Sequence, residues 1–156
     1  MRVHGCGEGL DAFCALAPTY GMVTNFRDWL EHISSWYMPD LARERDELVR
    51  QAADLGIPLG DMVRAFEAGR LVTLGPGVWS GMLNTESNDP DLSLEMVKTW
   101  RDKDVDGITR ALAEGLPLPA PIVLRHGGRH WCVAGNTRLC LSKLMGVTPK
   151  VWMIEV

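Results

Sequence analysis

The strongest constraint on how this chain can fold lies near its C-terminal end, where the apolar pattern changes period. Residues 116–134 (LPLPAPIVLRHGGRHWCVA) read as a Pro-rich approach, a strand at Pro121–Arg125, a Gly127-Gly128 hairpin and a second strand at His130–Ala134. Gly135-Asn136-Thr137-Arg138-Leu139 then turns the chain into a helix that runs to about Met145 and stops at Gly146, and VTPKVWMIEV closes as a strand. A glycine directly after a strand lets the chain turn sharply where a Cβ would not fit. The first N–H groups of the helix have no intrahelical partner and point outward, which makes the turn an anion site. Arg138 adds a planar fork of donors that matches phosphate oxygens.

The remainder of the chain reads as helical. Residues 10–16 suit a short helix stopped near Pro18. Residues 25–37 suit a longer one, with Asn25 as N-cap and Phe26, Trp29, Leu30 and Ile33 at helical spacing. Residues 39–55 give the clearest helix, with Leu41, Leu48, Ala52 and Leu55 in an apolar stripe, a charged opposite face, and Gly56 as the stop. A shorter helix follows at 59–68. The run 70–78 is broken by Gly75-Pro76-Gly77, and a boundary is expected there, giving a helical N-terminal region at 1–77 and a second domain at 78–156. Residues 79–90 read as a polar loop, 92–101 as a helix, and 104–114 as a helix stopped by Gly115.

Composition limits the function classes. Of 156 residues, 46% are hydrophobic and 23% charged, values of an ordinary globular protein with material for a core. No apolar run approaches the roughly 20 residues that span a bilayer, and the N-terminus is a poor signal peptide, so a cytoplasmic protein is expected. Cys6, Cys14, Cys132 and Cys140 form no CxxC and no zinc framework, and are read as reduced thiols. The net charge of −4 argues against a general nucleic-acid binder. Residues 125–150, however, hold five basic side chains and no acid, so an anion finds its best potential there. His126 and His130 flank the hairpin without a visible third ligand, and no metal site is expected from the protein's own residues.

The stretch PLPAPIVLRHGGRHWCVAGNTRLCLSKLMGVTPKVWMIEV resembles the ParB/sulfiredoxin-like superfamily. The matching residues are Gly115, Pro119, Pro121, Ile122 and Val123, then Gly135, Arg138 and Gly146 of the glycine–arginine turn and its helix; the resemblance covers roughly residues 100–156. It implies a small α+β domain with a mixed sheet, here carrying an N-terminal helical extension. It also implies a nucleoside triphosphate, ATP or CTP with Mg²⁺, held by Gly135, Asn136, Thr137 and Arg138, with Lys103 as a second phosphate contact. Asn136 stands where sulfiredoxins carry their catalytic cysteine, which argues against sulfinic acid reduction. The chromosome-partition branch fits poorly too, because the second turn position is Asn and Leu139 follows Arg138.

Two function classes remain. One is a small phosphotransferase or kinase with Asp104 or Glu86 as carboxylate base; acids at 102–106 also suit a helix N-terminus electrostatically. The other is a non-catalytic nucleotide-dependent switch or a DNA-associated ParB-like protein. Residues 48–68 faintly resemble a helix-turn-helix, but 59–68 offers only Arg64 to a phosphate-rich groove, so a helical interaction or homodimerisation surface, or a plain extension of the core, fits better. The six tryptophans are expected to pack in the core, with stacking on a base at a pocket edge as the alternative for Trp79 and Trp100. Compact members of the superfamily are frequent in phages and mobile elements, an origin the resemblance accommodates.

Overall fold

The computed structural model describes residues 36–156. The helices expected at 10–16 and over most of 25–37 lie outside the described residues. Trp36 and Tyr37, expected at the end of the second of these helices, instead form a short strand β1 (Trp36–Tyr37). It pairs in parallel with β3 (Leu118–Pro119), and Ala120 donates to the Tyr37 carbonyl at 2.8 Å.

Helix α1 (Leu41–Leu55) begins at Asp40, not at Pro39: the Asp40 carboxylate accepts from the Ala42 N–H at 2.9 Å. It ends at Gly56 in the left-handed conformation. Helix α2 (Leu59–Glu67) follows after Ile57-Pro58. Strand β2 (Arg70–Thr73) comes from the run read as a linker, and helix α3 (Pro76–Ser80) starts on the Gly-Pro-Gly that follows it, with Pro76 at its first turn. A single 3₁₀ turn (Glu86–Asn88) and helices α4 (Leu94–Lys98) and α5 (Val105–Glu114) lead to the hairpin of β4 (Ile122–His126) and β5 (Arg129–Ala134). Helix α6 (Asn136–Met145) and strand β6 (Lys150–Glu155) complete the chain.

The fold is α+β with a mixed four-stranded sheet in the order β2-β6-β4-β5. The β2/β6 and β4/β5 pairs are antiparallel and β4/β6 is parallel. Strand alternation gives the sheet two apolar faces. Ile122, Leu124 and Ile154 point to one face and pack against Leu48, Ala52, Met62 and Phe66 of α1 and α2. Val123, Cys132 and Val151 point to the other and meet Leu139 of α6 and Trp79 of α3. Helices α4 and α5 close over α6 through Val97, Val105, Cys140 and Leu141.

The division expected at 77/78 therefore falls inside a single compact unit, Ser35–Val156. Helices α1 and α2 and strand β2, which the sequence placed in a separate helical region, supply one whole layer and one edge strand of the sheet. Their attachment is polar as well as apolar: the Trp152 indole N–H donates to the Phe66 carbonyl at 2.9 Å, fastening the end of α2 to β6. No helix of the described residues is long and apolar enough to cross a membrane.

Candidate functional site

The turn singled out by the sequence forms one wall of a cleft of about 750 Å³. Gly135 has φ of +87°, and a Cβ there would lie 2.8 Å from Pro121 Cα and 3.0 Å from the Arg138 guanidinium, so only glycine fits. The first intrahelical bond of α6 runs from Leu139 N–H to the Gly135 carbonyl at 3.0 Å, and no side chain caps the helix. The N–H groups of Asn136, Thr137 and Arg138 thus precede the helical ladder, at the positive end of its dipole. Thr137 and Arg138 are buried on this wall.

Six of the seven site residues expected from the sequence meet in this cleft: Glu86, Lys103, Gly135, Asn136, Thr137 and Arg138. Asp104 does not line it. Its carboxylate accepts from Gly107 N–H at 3.0 Å and serves as the N-cap of α5. A Cβ on residue 107 would collide with that carboxylate at 2.1 Å, so Gly107 and Asp104 act as one capping device. Trp100 borders the cleft, whereas Trp79 is buried with its indole N–H on Ser87 Oγ at 2.7 Å.

Asn136 is the hub of the site. Its Oδ1 accepts from Glu86 N–H at 3.1 Å and lies 2.9 Å from Thr85 Oγ1, while its Nδ2 donates to the Glu86 carboxylate. Thr85 Oγ1 lies 2.8 Å from Ser87 Oγ, so a hydrogen-bonded chain runs from Trp79 through Ser87 and Thr85 to Asn136. The polar segment 83–88, read from the sequence as either a substrate loop or a plain connection, is thereby strapped to the start of α6, and Glu86 stands beside the helix N-terminus as an exposed residue.

Arg138 is more occupied than a free phosphate ligand. One terminal nitrogen donates to the Pro119 carbonyl and the other reaches Glu44 Oε1 at 3.2 Å. The two side chains of this ion pair are only 11% and 17% exposed, so each charge depends on the other. A guanidinium carries five N–H donors, so Arg138 holds the turn in place and still has donors to offer.

The facing wall is helix α1, which the sequence reading did not connect with the site. Glu44, Glu47, Gln51 and Asp54 follow at helical spacing and all border the cleft. The only sequence signal was a polar stripe beside an apolar one, which most surface helices share. In sum, four carboxylates (Glu44, Glu47, Asp54, Glu86) face three bases (Arg50, Lys103, Arg138), with Arg50 paired to Glu47 at 3.0 Å. Three of the four acids thus lie along α1, with Arg50 among them, while Glu86 stands beside the donors at the start of α6.

Cys132 and Cys140 flank the turn as free, buried thiols. Burial pushes both up to about 12, and the Arg138 charge only partly offsets this for Cys132. They are packing groups with no thiolate chemistry near neutral pH. Cys6 and Cys14 lie outside the described residues. Among the described residues no group of three His, Cys, Asp or Glu side chains is placed to hold a metal ion. Compared with known protein families, curated proteins and solved structures, the chain matches none of them.

Proposed function

We propose that this cleft binds a nucleoside triphosphate, with the phosphates at the start of α6. The observation that carries this reading is the convergence of the uncapped α6 N-terminus, Arg138 and Lys103 in one cleft. The ParB/sulfiredoxin-like resemblance of the same turn supports it. Mg²⁺ enters with the nucleotide, offsetting the triphosphate charge in a cleft where acids outnumber bases by one. Glu86, held by Asn136 beside the phosphate position, is the carboxylate suited to orient and deprotonate an acceptor hydroxyl in a phosphotransfer step.

A specific observation favours the non-catalytic switch as second reading. Arg138 is tied to Glu44 of α1, so a phosphate that draws on the guanidinium also alters the hold on that helix. DNA reading by α1 and α2 has less support, since Arg64 of α2 is paired to Asp61. A thermal-shift screen of ATP, CTP, GTP and UTP, each with and without Mg²⁺, tests binding. A nucleotide at about 100 times its Kd stabilises the fold by roughly 2.7 kcal/mol. The expected result is a shift with at least one nucleotide that shrinks in Lys103→Ala, an exposed position whose loss leaves the fold intact. No shift with any of the four refutes the reading. Where binding is found, loss of turnover but not of binding in Glu86→Gln separates the enzyme from the switch.

A further inference from the structure

One polar group on the α1 wall has no partner within the protein. Gln51 is only 5% exposed and its Oε1 accepts from Asn84 Nδ2 at 2.9 Å, yet its Nε2 makes no hydrogen bond. Buried donors without acceptors are few in native structures, and one on a cleft wall points to an acceptor supplied from outside. Asn84, which borders the same cleft, holds its position with φ of +58°, a left-handed conformation that Asn tolerates better than most residues. The pair therefore sets in the cleft wall one buried, unsatisfied donor, Gln51 Nε2, beside the amide oxygen of the exposed Asn84. Exchanging O and N in both amides still leaves one of each, so the count does not depend on amide orientation.

We propose that Gln51 and Asn84 read the hydrogen-bonding edge of the nucleotide's base, an inference that rests on the nucleotide reading above. A base edge carries donor and acceptor side by side, the complement of this pair. Electrostatics sets the direction of the ligand. Phosphates go to the α6 N-terminus and Lys103; on α1, Glu44 and Glu47 are ion-paired to Arg138 and Arg50 and Asp54 adds a negative charge, so that wall suits the neutral base. Trp100, Ile108, Val133 and Ala134 line the cleft and supply apolar surface for the ring.

The test is calorimetric titration of wild type, Gln51→Leu and Asn84→Gly with ATP, CTP, GTP, UTP and inorganic tripolyphosphate, all with Mg²⁺. Wild type is expected to prefer one base and to bind that nucleotide more tightly than tripolyphosphate. Gln51→Leu is expected to weaken the preferred nucleotide by at least about tenfold, leaving tripolyphosphate unchanged. Asn84→Gly, an exposed position where glycine keeps the positive φ, is expected to lose base preference in the same way and guards against a folding defect in the first variant. Unchanged nucleotide affinity in both variants overturns the proposal, as does an equal loss for nucleotide and tripolyphosphate. Wild-type binding of tripolyphosphate with no base preference overturns it while the phosphate site stands. Binding of neither overturns both.

Discussion

At the scale of single residues, Arg138 does two things at once. It braces the turn against Pro119 and Glu44, and it carries a charge on the wall where phosphates are proposed to sit. Removing it leaves Glu44 with a mostly buried, uncompensated carboxylate, so Arg138→Ala is expected to lower the unfolding free energy by about 3 kcal/mol in urea titration. Adding Glu44→Gln should recover part of that loss; strictly additive effects would show that the pair is not coupled. The buried thiols make a second prediction, with a definite sign. Cys132 rises from an ordinary value of 9.0 to about 12 on folding, so its contribution to stability is intact below pH 9 and is lost as pH climbs from there toward 12. Urea midpoints measured at pH 8 and pH 10 should fall with pH, and Cys132→Val should lessen the fall. An identical fall in the variant would assign it to other groups.

At the scale of elements, the helix–strand order of the C-terminal part was legible because each signal there is local. A Gly-Gly hairpin, a strand-terminating glycine and a helix-stopping Gly146 all act within a few residues, and the structure places β4, β5 and α6 within a residue or two of the expected positions, while β6 begins three residues later than expected, just after Pro149. Strand β2 was not legible. Four residues with no alternation become a strand only because β6 offers an edge some eighty positions away. For the same reason α1 and α2 read as a separate region: an apolar stripe shows that a helix is covered, not what covers it. Their burial against Ile122, Leu124 and Ile154 predicts the behaviour of fragments. A chain begun at residue 36 should unfold in one cooperative transition, whereas one begun at residue 78 lacks a layer of the core and should show none by circular dichroism. A cooperative transition in the shorter fragment would contradict this account of the sheet.

At the scale of the whole molecule, the sheet brings together groups that no local pattern connects. Glu86, Lys103 and the 135–138 turn were each visible as residue types. Their meeting in one cleft depends on the Asn136 strap and on α5 packing over α6, and the acid wall of α1 depends on an ion pair spanning 94 positions. Asp104 shows the limit in the other direction, since a carboxylate at the right place in sequence turned out to cap a helix. The central claim is that ligand phosphates sit on the N–H groups that open α6. Backbone amide NMR of the protein titrated with Mg²⁺ and the nucleotide that gives the largest thermal shift tests this most directly. The account predicts that the amide resonances of Asn136, Thr137 and Arg138 move first and farthest, with Lys103 following. Saturable shifts confined to another surface, or none at any nucleotide concentration, would contradict it.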